Sequence, residues 1–128
     1  MTKEEKSVFT RRISEGNRSE IIAALYDIFF VYAADGREAI SNKDMVGARD
    51  NIRHAEQVLM HLKSALDFKY ELSAQLYPLY DFCQRALQRS NYTASVEGID
   101  EALRIMTPRW RNLERRIHPK ENNTFAVQ

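Results

Sequence analysis

The chain has 128 residues, of which 29% are charged and 44% hydrophobic, with 4 Gly, 3 Pro and a formal net charge of +1. That length suits one domain with a core and is too short for two. The near-neutral charge excludes a global pull toward nucleic acid or membrane. A single cysteine, Cys83, excludes an internal disulfide and suits a reducing cytosol.

Residues 1–16 are mostly polar and carry one apolar pair, Val8-Phe9. They read as a loose arm or a short helix, and the start lacks the basic and apolar regions of a signal peptide. Asn17 with Glu20 three residues on is an N-cap pattern, so a helix is expected from about Arg18 to Ile40. Its core stripe is read as Ile21, Leu25, Phe29, Tyr32, Gly36 and Ala39. Thirteen of the fourteen residues from Ile21 to Ala34 are apolar or aromatic, and Asp27 is the exception. The run is shorter than the roughly 20 residues a membrane-spanning helix needs.

Ser41 and Asp44 form the next capping signature. Met45, Ala48, Ile52, Ala55, Leu59, Leu62 and Leu66 then recur at steps of three and four, the narrow seam of coiled-coil-like packing. A further helix is expected within Glu71–Arg89, with Leu76, Tyr80, Cys83 and Leu87 as its stripe and a kink or turn at Pro78. After a turn at Asn91 to Thr93, the last helix runs from about Ala94 to Ile117 through Val96, Ile99, Leu103, Met106, Trp110 and Leu113, bent at Pro108. His118-Pro119 stops it. The fold class is therefore all-α: an antiparallel up-down-up-down four-helix bundle over 17–118, a loose N-terminal arm over 1–16 and a disordered tail over 119–128.

A bundle helix buries one stripe, and the first long helix has apolar residues nearly all round. Unrolled at 100° per residue, it places Asp27 opposite the expected stripe, with Phe30 and Val31 on its flanks and Ala23, Ala24 and Tyr26 nearby. Phe30 and Val31 are the hardest to bury. Either the N-terminal arm folds over them through Val8-Phe9, or they form a groove for an apolar or amphipathic segment of a partner. Both hold if a partner displaces the arm.

No constellation supports catalysis, a metal or another cofactor. His54 and His61 share a face but lie about 10 Å apart along the helix axis. Cys83 falls on a core stripe with no base at a useful spacing. The carboxylates Asp67, Glu71 and Asp81 lack the Glu-x-x-His repeat of a di-iron bundle. Arg104, Arg109, Arg111, Arg115 and Arg116 read as a solvated face that complements the helix dipole, or as a site for acidic partner residues.

Once these helices are placed, the residue order resembles the flagellin export chaperones, the FliS family. Leu25-Tyr26-Asp27 is similar to that family's signature in its first long helix. Ala39-Ile40, Asn42-Lys43-Asp44 and Ile52 to Leu66-Asp67 resemble its next turn and helix. Glu71-Leu72, Leu76, Leu79-Tyr80-Asp81, Leu87 and Asn91 resemble the helix and turn that follow. Ile28 and Val31 are departures from the pattern. The resemblance runs from about Ile21 to Leu113.

It implies a cytoplasmic, non-enzymatic chaperone that holds the disordered C-terminal segment of flagellin in apolar grooves and prevents premature polymerisation before export. The expected partner-binding residues are Tyr26, Phe30, Val31, Ala23, Ala24 and, less centrally, Tyr80. No nucleic acid, membrane, metal or cofactor is expected. The alternative is a homo-oligomeric helical-bundle interaction protein with a non-flagellin client, so a monomer or a homodimer both fit.

Overall fold

The computed structural model describes residues 1–117, which are all-α: five helices and no strand among them. They are α1 (Lys3–Glu15), α2 (Arg18–Ser41), α3 (Met45–Ser64), α4 (Glu71–Thr93) and α5 (Glu97–Ile117). The expected tail over 119–128 lies outside the described residues.

Of the two expectations for residues 1–16, a loose arm or a short helix, the structure takes the helix: residues 3–15 form the thirteen-residue α1. Its cause is local. Thr2 Oγ1 accepts from the Glu5 N–H at 3.1 Å while the Glu5 carboxylate accepts from the Thr2 N–H at 2.9 Å. This reciprocal capping box satisfies two of the donors a helix start leaves open. Glu4 and Glu5 in the first turn and Arg12 in the last complement the dipole.

The next two starts follow their caps. Asn17 Oδ1 accepts from the Glu20 N–H at 2.9 Å, and Asp44 Oδ1 from the Gly47 N–H at 3.0 Å. Ser41 is the last residue of α2, so Asp44 alone caps α3. α4 runs unbroken through Pro78 and continues to Thr93, over the segment expected as a turn. It stops at Ala94, whose left-handed φ of 55° closes the helix. Pro108 likewise lies inside α5.

α2 packs against α3 and α5, α3 against α4, and α4 against α5, so α2–α5 enclose one core. Phe29, Ile52, Leu59, Leu87, Ile99 and Met106 are its largest fully buried side chains. The buried face of α2 is rotated from the predicted stripe. Ala23, Ala24, Tyr26, Phe29, Ala33, Gly36 and Ala39 are buried, whereas Ile21, Leu25 and Tyr32 are only half-buried. α3 and α5 pack against α2 from the core side and α1 from outside, and the small residues let the core helices' backbones approach.

Gly98 sets the closest approach between α4 and α5. A Cβ there would lie 2.0 Å from the Ala86 carbonyl oxygen. Beside it, fully buried Ser90 accepts the Ile99 N–H on its Oγ at 2.9 Å and satisfies a donor at the start of α5. Polar contacts tie the helix ends. Arg18 Nη2 donates to the Ala65 carbonyl at 2.7 Å, Arg37 Nε to Asp100 at 2.8 Å, and Lys63 Nζ to Asp81 at 3.2 Å. No described helix is long and apolar enough to cross a membrane.

Candidate functional site

Two features of α2 combine into a candidate binding site. The first is an apolar pocket of about 330 Å³ where the beginnings of α2 and α4 meet the ends of α3 and α5. Ile22 and Tyr26 come from α2, Leu62 from α3, Leu66 from the following loop, Leu72, Leu76 and Tyr80 from α4, and Leu113 from α5. Arg109 and Asn112 supply polar groups at its wall. Such a concave, mostly apolar site with a few polar groups suits an inserted hydrophobic side chain. Leu72 is 47% exposed and marks the rim.

Tyr26 and Tyr80 meet in the pocket. Their hydroxyls are 2.5 Å apart and their rings pack edge to face with centroids 6.4 Å apart. Each phenol therefore has a partner although both are buried, which removes the cost of an unsatisfied hydroxyl. Burial pushes both phenols above the usual tyrosine value, and Tyr26 is raised further by its interaction with Tyr80. They remain neutral at physiological pH and give the pocket one fixed polar point among aliphatic walls.

The second feature is the Asp27 face. Asp27 is half-buried and doubly engaged. Trp110 Nε1 donates to Oδ1 at 2.6 Å and Arg12 Nη1 to Oδ2 at 2.8 Å. Thus the charge that interrupts the apolar run orients α5 and α1 together. α1 packs on α2 alone, with the Met1 ammonium 2.6 Å from Asp35 at the far end of the contact. Val31 is four residues from both Asp27 and Asp35, so it shares their face.

The sequence-expected residues separate into three groups. Tyr26 and Tyr80 come together in the pocket. Phe30 and Val31 are half-buried: Phe30 packs edge to face on Trp110 with centroids 5.6 Å apart, and Val31 falls on the helix flank that carries Asp27 and Asp35. Ala23 and Ala24, at 3% and 0% exposure, are buried between packed helices and do not reach the surface. The arm does cover the α2 face, but not through both members of its apolar pair. Val8 is 54% exposed and Phe9 is half-buried with Arg12 over its ring.

A family model described as "Flagellar protein FliS" matches residues 1–113. The chain belongs to the FliS family. It is also similar to a Bacillus subtilis (strain 168) protein named "Flagellar secretion chaperone FliS", at 27% identity over 92 residues, which is 67% of this chain and 69% of that protein. The FliS match takes in α1 and extends to Leu113, so both the covering helix and the pocket lie within it.

Sequence reasoning missed most of the pocket in this FliS-family chain. Leu62, Leu66 and Leu113 fall on the expected core stripes, and Ile22 and Leu72 carry no site role in the sequence. Their convergence depends on where helix ends meet, which no single helical stripe displays. The signal that decides for a helix over residues 3–15 is the Thr2-x-x-Glu5 capping box. Among the described residues no group of His, Cys, Asp and Glu could hold a metal ion. His54 and His61 are exposed, and His54 stacks on Tyr32 at 4.8 Å. Cys83 is fully buried, and burial pushes its thiol up to about 12.

Proposed function

We propose that this chain is a flagellar secretion chaperone that acts in the cytoplasm, binds the C-terminal segment of flagellin, and keeps it from polymerising before export. The observation that carries the reading is the apolar pocket floored by the Tyr26–Tyr80 pair, next to an α2 face held under a lightly attached helix. An amphipathic client helix would place one anchor side chain in the pocket and lay its apolar face along α2. Family membership and the name of the B. subtilis relative support the client class.

α1 is built to leave. It contains no fully buried residue, and its described polar anchors are the Met1–Asp35 and Arg12–Asp27 pairs. The Arg12–Asp27 pair is partly exposed, and pairs of this kind contribute about 0.2–1 kcal/mol. A client that buries more apolar area than α1 would therefore displace it. We further read α2–α5 as an antiparallel up-down-up-down four-helix bundle with α1 as a side element. Support comes from the pairs Asp27–Trp110 and Arg37–Asp100, in which numbering rises along α2 as it falls along α5.

Titration calorimetry with a flagellin C-terminal peptide tests the function. We expect saturable binding with a negative heat-capacity change, because apolar surface is buried. Leu72→Asp at the exposed rim should weaken it at least tenfold while the helical spectrum is unchanged. Absence of binding, or full affinity in that variant, would contradict the assignment.

A second reading has its own observation. Phe68, Tyr70 and Tyr77 are 62%, 67% and 42% exposed around the α3–α4 connection, a surface a second copy could cover. Light scattering separates the two: a concentration-dependent dimer abolished by Phe68→Asp favours self-association.

A further inference from the structure

The opposite end of the α3–α4 contact carries a different surface. Arg49 and Arg53 on α3, Gln88, Asn91 and Tyr92 on α4, and Glu56 line a shallow groove of about 470 Å³. Arg49, Asn91 and Tyr92 also border a smaller pocket of about 200 Å³ whose apolar walls are Ile40, Met45, Ala48 and Ile52. Leu62, in the Tyr26–Tyr80 pocket, is thirteen residues from Arg49 along α3, about 20 Å at 1.5 Å per residue. The two sites are separate.

Three observations define the occupant. Arg49 and Arg53 are exposed, and neither lies within ion-pair distance of a carboxylate among the described residues. They stand one helical turn apart, about 6 Å, close to the spacing of carboxylates at i and i+4 on a helical peptide. Glu56, the groove's own carboxylate, is half-buried, and burial pushes its pKa above the ordinary glutamate value while nearby Gln88 and Arg53 oppose the shift. Beside the cations, Tyr92 is 93% exposed, Val46 75% and Met45 42%. An aromatic ring this exposed at the mouth of an apolar pocket is a ready lid for an inserted side chain.

We propose that this α3–α4 groove docks an acidic helical segment of a second protein. Two carboxylates a turn apart pair with Arg49 and Arg53 in bidentate fashion, and an adjacent leucine-type side chain enters the pocket beside Tyr92. Charge complementarity selects the partner: guanidinium forks match carboxylates, and the apolar pocket adds what a purely ionic contact lacks. The site leaves the Tyr26–Tyr80 pocket free, so a client and a second protein can be held at once.

The test uses the full chain and a fluorescein-labelled helical peptide, acetyl-Ala-Glu-Leu-Ala-Ala-Glu-Leu-Ala-Lys-amide, followed by anisotropy and by amide chemical shifts. Saturable binding is expected, with shifts centred on Arg49, Asn91 and Tyr92. The Arg49→Glu/Arg53→Glu variant should bind at least tenfold more weakly, and so should the peptide with both Glu replaced by Gln. The same variant should bind the flagellin peptide normally, so failure here and failure of the chaperone reading are distinguishable. No saturable binding, binding indifferent to the charge reversal, or shifts centred on the Tyr26–Tyr80 pocket would overturn the proposal. So would a dimer, in the absence of peptide, that the charge reversal dissolves.

Discussion

Cys83, Tyr26 and Tyr80 are three acids held neutral by burial in one core cluster, and their protons have measurable consequences. The Cys83 thiol, with an ordinary value of 9, is pushed up to about 12. In the unfolded chain it ionises from about pH 9, and the two phenols follow near 10, while burial raises all three values in the folded chain. The folded state then binds more protons than the unfolded one, so their contribution to stability is intact below pH 9 and falls as pH rises toward 12. Urea unfolding should show a declining free energy from pH 9 upward; a flat profile through that window would refute the argument. At pH 8, Cys83 should react with an aromatic disulfide reagent only at the rate of opening, and rapid native-state labelling would show the burial to be misplaced. The residue scale is also where the sequence was most opaque. Burial of Cys83 was legible from its stripe, whereas the partnership of Tyr26 with Tyr80, 54 positions apart, was not.

Elements were read better than their ends. The caps Asn17 and Asp44 were legible because a short polar side chain before an apolar periodic run has few other uses. The choice between loose arm and short helix at α1 stayed open in the sequence because its thirteen residues bury nothing fully, so hydrophobic periodicity is silent where capping is not. The rotated core face of α2 was missed because nearly every direction round that helix is apolar. There the choice is made by neighbours: Ala23, Ala24 and Gly36 face close helices, and Asp27 turns toward Trp110 and Arg12. Three element-scale predictions follow from contacts of this kind. Gly98→Ala drives a methyl into the Ala86 carbonyl and should cost about 1–3 kcal/mol in chemical denaturation, where wild-type stability would disprove the tight α4–α5 approach. Ala94→Gly relieves the left-handed C-cap and should stabilise by roughly 0.5–1 kcal/mol, whereas destabilisation would show that the Ala94 side chain is needed. Arg12→Glu loosens α1 without touching the core and should raise flagellin-peptide affinity about twofold to fivefold. Reduced affinity would instead make α1 part of the client's seat.

At the scale of the molecule, α2–α5 enclose a common core, and α1 contacts α2 alone without burying a residue fully. The all-α class was legible from periodicity and short connections, and the family was legible from the order of weak motifs along α2, α3 and α4. The apolar excess of Ile21–Ala34 was the visible trace of the site. Its division between core, pocket and covered face required the structure, since each depends on where α1, α4 and α5 come to rest. The central claim is that α1 occupies a surface the client takes over while an anchor fills the Tyr26–Tyr80 pocket. Hydrogen exchange of the chain with and without a saturating flagellin C-terminal peptide tests it most directly. The account expects backbone amides of α1 to lose protection on binding while those around Tyr26, Leu72 and Tyr80 gain it. Unchanged α1 protection together with new protection confined to another face would contradict it.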